Sequence, residues 1–200
     1  MGVAKSELFR SRRSGPPDLL EQGTGFQKQS WYFCIHRQIE LASKELTHLA
    51  SHSDIVIVRD CDLQFFPNRH AEWQRLCASF LNSGNVVWFM KEMAAEDQCN
   101  TGFYMTSRKH ANTLSAFLDE VRVHPMMDKG LADQDVINLL KDSIDYGLID
   151  PKYVVWADKV PPDTNEVLFH HAVATSDKME QMRMVWNKIV EERPMLSNDQ

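Results

Sequence analysis

The chain has no Cys-x-x-Cys pair, no histidine spacing of the zinc type, and no apolar run long enough for a membrane span. Its four cysteines, Cys34, Cys61, Cys77 and Cys99, stand far apart, which argues against a thiol-built zinc module and against a disulfide scaffold. They read as buried thiols of a reducing compartment. Basic residues are also scarce: 22 Lys and Arg against 28 Asp and Glu leave a formal charge of −6. Apart from Arg10, Arg12 and Arg13 they do not cluster, so nucleic acid is not an expected partner. The opening residues lack the apolar core of a signal peptide, and there is no internal repeat. What the chain does have is 200 residues at 43% hydrophobic content, enough for one domain with a sizeable core. Residues 1–25, with Ser, Arg, Gly and the Pro16-Pro17 pair, read as a flexible lead-in, 26–192 as the domain, and 193–200 as a flexible tail.

Apolar spacing predicts the elements. Trp31, Ile35, Ile39, Leu46 and Leu49 mark a helix over Gln27 to Ala50, and Ile55 to Val58 a buried strand. Asn68 is placed to cap a helix that buries Trp73, Leu76, Cys77, Phe80 and Leu81 and stops at Gly84. Val86 to Met90 and Asn100 to Met105 read as strands, and Ser107 as the cap of a helix carrying Leu114, Phe117, Leu118 and Val121. Asp133 opens a helix with Val136, Ile137, Leu139, Leu140 and Ile144 inward. Tyr153 to Trp156 and Val167 to Phe169 are further strands, and Met179, Met182, Trp186, Ile189 and Val190 mark the closing helix. Strands alternating with helices predict a layered α/β domain with a largely parallel sheet.

Four polar groups fall at the ends of these elements. The apolar run ends in Arg59-Asp60-Cys61-Asp62. Side chains two apart on a strand project the same way, so Asp60 and Asp62 are expected to point together into the crevice beyond the sheet. Like charges so close call for a cation, and Mg²⁺ or Mn²⁺ takes oxygen ligands and phosphate together. A polar turn would account for the pair taken alone. Asn100-Thr101-Gly102 offers an amide and a site of close backbone approach. Asp133-Gln134 can hold hydroxyls or face positive charge developing at an anomeric carbon, though Asp133 could equally be a helix cap. His170-His171 adds imidazole to the candidate ligands, and strand alternation lets only one of the two reach a shared metal.

In this order and spacing, the motifs resemble those of the nucleotide-diphospho-sugar transferases, the GT-A glycosyltransferases, especially their small eukaryotic and large-DNA-virus members. The likeness extends more distantly to bacterial lipooligosaccharide galactosyltransferases and glycogenin, and runs from about Gly25 to Lys188. It implies a three-layer α/β/α domain with a mostly parallel mixed sheet, and transfer of a sugar from a nucleotide-diphospho-sugar to a glycan, protein or small-molecule acceptor. By the same resemblance Asp60 and Asp62 hold Mn²⁺ or Mg²⁺ against the diphosphate, with His171, or else His170, completing the shell. Asp60, Asn100, Thr101 and Gly102 would contact substrate, and Asp133 and Gln134 would be the catalytic pair beside the transferred sugar. One departure stands out. Members usually begin with a strand and helix that cradle the base, whereas little precedes Asp60 here, so part of the nucleotide-binding region is expected to be lacking, with impaired activity and an exposed sheet edge. The expected location is the cytoplasm for the chain as given, or the Golgi lumen should an anchor precede it. Two alternatives are a degenerate transferase-like binding domain and a haloacid-dehalogenase-like phosphatase with Asp60 as nucleophile. Gln64 speaks against the latter, standing where that family carries a small Thr or Val.

Overall fold

The computed structural model describes residues 29–93, 95–127, 132–156, 166–172 and 177–191. The expected lead-in and tail lie outside them. In chain order the elements are α1 (Gln29–Ala50), β1 (Ile55–Arg59), β2 (Leu63–Phe65), α2 (His70–Ser83), β3 (Val87–Lys91) and β4 (Cys99–Ser107). After a 3-10 turn follow α3 (Ala111–Val123), α4 (Asp133–Leu140), β5 (Tyr146–Ile149), β6 (Val154–Trp156), β7 (Phe169–His171) and α5 (Lys178–Glu191). The chain divides into two compact units, Met1–Val56 with Thr106–Asp145, and Ile57–Met105 with Tyr146–Gln200.

The first unit is helical. Ile35, Ile39, Ser43, Leu46 and Ala50 form the buried stripe of α1, and Leu49 faces out. The expected α3 face of Leu114, Phe117, Leu118 and Val121 is buried throughout. Ser115 Oγ donates to the Ser43 carbonyl at 2.7 Å and the two hydroxyls lie 3.3 Å apart, so the one polar position in the α1 stripe is satisfied rather than stranded. In α4 the cap differs from expectation. Ala132 is the N-cap and its N–H is taken by the Asp135 carboxylate at 2.9 Å, while Asp133 is already helical. Val136 and Ile137 point inward, but Leu139 is 60% exposed.

Most strand residues belong to the second unit. One sheet has the order β1-β4-β3-β5, the other β2-β7-β6. Pairing is mixed: β3 with β5 and β6 with β7 are parallel, and β2 with β7 is antiparallel, setting Leu63 opposite His171 and Gln64 opposite His170. The chain passes from β3 to β4 through a short turn closed by Glu92 N–H on the Gln98 carbonyl at 2.8 Å. With neighbours on both sides, all nine residues of β4 are buried. β1 lies at the edge of its sheet and Ile57 is 39% exposed, so it is not the fully buried strand its apolar run suggested. β2 and β5 are not among the strands expected from apolar spacing.

Two helices of this unit also depart from expectation. Asn68 adopts φ 58° and turns the chain instead of capping α2, whose N-cap is Arg69, and Leu81 faces out. Gly84 ends α2 in the left-handed conformation, φ 76°, which glycine adopts without steric cost. In α5 the inward residues are Gln181, Val185 and Ile189, the last two packing with Phe66, Val155 and Val167, while Met179, Trp186 and Val190 face out.

A ring cluster unites the strands that matter for the site. Phe103 of β4 stacks on Phe169 of β7 at 4.8 Å between centroids, and Phe65 of β2 and Trp73 of α2 close around them at 5.6–6.3 Å. Large buried aromatics of this kind dominate core energetics and fix the backbones that carry them. Among the described residues no helix is long and apolar enough to cross a membrane.

Candidate metal centre

Asp60 and Asp62 do not share one strand face. β1 ends at Arg59 and β2 begins at Leu63, so Asp60-Cys61-Asp62 is the turn that carries the chain from one sheet to the other. Its backbone is held at both ends. Asp60 N–H donates to the Gly102 carbonyl at 2.8 Å, and the Asp62 carbonyl accepts from Ala172 N–H at 3.1 Å. The Arg59 guanidinium reaches the carbonyls of Asp60 and Leu63 at 3.1 and 3.2 Å and lies over the Phe65 ring. Cys61 projects outward and is exposed, which corrects the expectation of buried thiols at that position. Cys99 is buried, and Cys77 is half-buried, its thiol pKa raised by burial.

Because β7 pairs with β2, His171 comes alongside Asp62. Ligand atoms of Asp60, Asp62 and His171 all lie within 4.8 Å of one another. The His171 imidazole is 2% exposed, and its Nε2 stands 3.4 Å from Asp62 Oδ1, outside hydrogen-bond geometry. Both of those atoms, and His171 Nδ1, are buried without a hydrogen-bond partner. A buried polar atom left unsatisfied costs about 1–3 kcal/mol, so two such atoms lying close to an Asp60 oxygen fit a cation shared among them. Two carboxylates and one imidazole form a mixed oxygen and nitrogen set suited to a Mn²⁺-class ion.

His170 is not in this cluster. The alternation of β7 turns it to the other side, fully buried, with Nδ1 3.3 Å from Gln64 Oε1 and Nε2 3.5 Å from Gln181 Nε2. Gln64 in turn donates to the Met182 carbonyl at 2.8 Å. His170 thus ties β7 to β2 and α5, and of the two candidate histidines only His171 reaches the acids.

Lys178 is a site residue that no sequence motif announced. Its Nζ lies 2.6 Å from Asp62 Oδ2 at the start of α5, with 47% of the side chain exposed. Burial alone would raise the Asp62 pKa, but the neighbouring His171 ring and the hydrogen-bonded Lys178 ammonium outweigh it and hold the carboxyl at about 2. Asp62 is therefore ionised and needs no deprotonation to accept a cation. A folded pKa below the unfolded one means that stability is present above the ordinary carboxylate range and is lost as pH falls towards 2. Lys178 is half in solvent, so its share is at most about 1 kcal/mol. Denaturant midpoints of the metal-free wild type and Lys178→Met are expected to differ slightly at pH 6 and to converge near pH 2. A constant gap across that range would contradict the pairing.

Asn100 is buried with both ends of its amide engaged. Oδ1 accepts Gly102 N–H at 2.9 Å, and Nδ2 donates to Glu92 Oε2 at 2.9 Å. Thr101 is buried beside it. The role of Gly102 is steric. A Cβ there would fall 2.4 Å from Cε1 and 2.9 Å from Nε2 of His171. Its carbonyl meanwhile fixes Asp60, so this one residue spaces two members of the cluster. Trp156 also packs on this imidazole, its ring 5.3 Å from that of His171. Asp133 and Gln134 lie at the start of α4 in the first unit.

No family model matches the chain, and no curated protein matches it in sequence. A solved glycosyltransferase involved in glycosylation of the major capsid of PBCV-1 superposes with a TM-score of 0.53 at 19% identity, over 74% of this chain and 77% of that one. The fold is GT-A-like. This agrees with the α/β class expected from the motifs. Mouse xyloside xylosyltransferase 1 is similar at a TM-score of 0.45 and 14% identity, over 68% of this chain and 63% of that one. The glycosyltransferase GlyE of Streptococcus pneumoniae TIGR4 gives 0.47 and 15%, over 73% of this chain and 44% of that one.

Proposed function

We propose that the protein is a metal-dependent glycosyltransferase that moves a sugar from a nucleotide-diphospho-sugar to an acceptor. The observation that carries this reading is the pair of buried, unpartnered atoms, Asp62 Oδ1 and His171 Nε2, converging with Asp60 in a GT-A-like fold. Asp60, Asp62 and His171 would hold Mn²⁺ or Mg²⁺, which when bound supplies Lewis-acid stabilisation of the charge on the departing diphosphate. The remaining work falls to the protein. Asp62, its pKa held well below the usual carboxylate range, is ionised at neutral pH. Lys178, half exposed at the rim, can move its ammonium from Asp62 to a phosphate oxygen, where a compact point charge suits it. Gly102 makes room for the His171 ring, and Asn100 holds the Gly102 backbone, with Thr101 buried next to it. Asp60, Asn100, Thr101 and Gly102 are the proposed substrate-contacting residues. Asp133 and Gln134 are proposed as the catalytic carboxylate and amide that face the oxocarbenium-like sugar as the leaving group departs.

The reading is tested by incubating the protein with a panel of nucleotide sugars and measuring release of nucleoside diphosphate with Mn²⁺, with Mg²⁺ and with chelator. Metal-stimulated hydrolysis of at least one donor is expected, since water can replace the acceptor. No hydrolysis of any donor, together with no metal-dependent diphosphate binding, would reject the reading.

A further inference from the structure

An ammonium already stands against the candidate centre. Lys178 Nζ donates to Asp62 Oδ2 at 2.6 Å, while Oδ1 of the same carboxylate is left to face His171 Nε2. The lysine holds this place against local preference, because it is the first residue of α5 and the positive end of a helix dipole disfavours an ammonium there. A residue that breaks a local rule, with a contact to a site as its compensation, points to a role in that site. We infer that Lys178 is a built-in counter-ion that guards the centre against a bare divalent cation, so that metal is admitted together with the diphosphate and not ahead of it. The inference rests on the transferase reading and specifies how its metal site is regulated.

Charge and freedom of movement both support this role. Two carboxylates, Asp60 and Asp62, face the Lys178 ammonium, and the Arg59 guanidinium of the same turn is committed to the carbonyls of Asp60 and Leu63. A divalent cation added alone would leave the cluster with an excess of positive charge, the ion and the ammonium sharing one carboxylate that is only 8% exposed. Like charges repel most where water is scarce, so the bare ion is held weakly. A diphosphate reverses the balance, since its oxygens can ligate the ion and also accept from the ammonium. The exchange requires only the side chain to move. The start of α5 is fixed, because the Asp177 carboxylate accepts Glu180 N–H at 3.0 Å and Gln181, Val185 and Ile189 are buried, whereas 47% of the Lys178 side chain is in solvent.

The test titrates the full chain by calorimetry with Mn²⁺ alone and with the preformed Mn²⁺ complex of inorganic pyrophosphate, which carries the diphosphate chemistry without a base. Lys178→Met removes the charge and keeps an unbranched side chain, and Lys178→Arg keeps the charge. Circular dichroism checks that both variants fold, as expected for a side chain half in solvent. Lys178→Met is expected to bind Mn²⁺ alone about tenfold more tightly than the wild type does, and Lys178→Arg to stay close to the wild type. For the pyrophosphate complex the order should invert, Lys178→Met binding it severalfold more weakly than the wild type. A lysine that merely braced α5 would give no gain in bare-ion affinity when removed. The counter-ion role is overturned if Lys178→Met binds bare Mn²⁺ no more tightly than the wild type, or if Lys178→Arg gains as much. It is also overturned if the pyrophosphate complex gains as much from Lys178→Met as the bare ion does. If the bare-ion gain is seen but neither protein binds the pyrophosphate complex, the competition at Asp62 stands and the transferase reading fails. If the wild type binds the complex and Lys178→Met shows no bare-ion gain, the transferase reading stands and the counter-ion fails. Absence of all binding overturns both.

Discussion

Titration of Asp62→Ala with a nucleoside diphosphate and Mn²⁺ is expected to show no metal-dependent binding, while the variant remains folded. Residues one step removed from a metal cost about 10- to 100-fold in affinity when altered, so a direct ligand should cost at least about 100-fold. The effect is separable from unfolding because of where Lys178 stands. Removing one member of a buried ion pair is damaging when the other is left in a dry interior, but the Lys178 ammonium is half in water. Stability should therefore change by no more than about 1 kcal/mol. Circular dichroism and a denaturant titration check folding, and calorimetry checks binding. Unchanged metal-dependent affinity would remove Asp62 from the centre.

Gly102→Ala is expected to have an effect of similar size by a different route. The added methyl would stand 2.4 Å from His171 Cε1 and 3.0 Å from Asn100 Oδ1, well inside contact distance. The ring cannot simply step aside, since it is 2% exposed and lies against Trp156. Overfilling a packed interior costs about 1–3 kcal/mol, and here the displaced group is a proposed ligand, so Mn²⁺ affinity should fall about tenfold or more along with the denaturant midpoint. The same methyl on an exposed residue would do neither. If affinity and stability are both unchanged, the imidazole has room that the present packing does not show, and Gly102 is not its spacer.

The residues of the candidate centre could be read from the sequence, but the way they come together could not. Asp60 and Asp62 were singled out as strand-end neighbours sharing a face, whereas a turn between two sheets brings them together. The pair survives that error because both ends of the turn are tied, one to Gly102 and one to Ala172. Strand alternation foresaw that only one of His170 and His171 could reach the acids, and pairing with β2 decides that it is His171. Lys178 was invisible because a lone lysine at a helix start carries no periodic signal. The hydrogen-bonding of His170 with Gln64 and Gln181 depends on residues 106 and 11 positions away, which pattern alone cannot pair.

The helices show the same limit. For α3 the apolar stripe identified the buried face correctly. In α5 five apolar residues suggested a face, of which only Ile189 is buried, and the core takes Gln181 and Val185 beside it, Gln181 having a buried histidine to bond. Composition names the residues that could be inside, and the neighbours decide which are. Neither β2 nor β5 has a run of large apolar residues like those that marked strands at Tyr153 to Trp156 and Val167 to Phe169, and yet β2 is the element that pairs His171 with Leu63, next to Asp62.

The most direct test of a cation held by Asp60, Asp62 and His171 against a diphosphate is pulsed electron paramagnetic resonance of Mn²⁺ bound to the protein with a nucleoside diphosphate. The expected spectrum shows phosphorus coupling from the diphosphate and nitrogen coupling from one imidazole on the same ion, the nitrogen signal alone disappearing in His171→Gln. Protein-bound Mn²⁺ without nitrogen coupling, or with a nitrogen coupling that survives that substitution, would contradict the proposed centre.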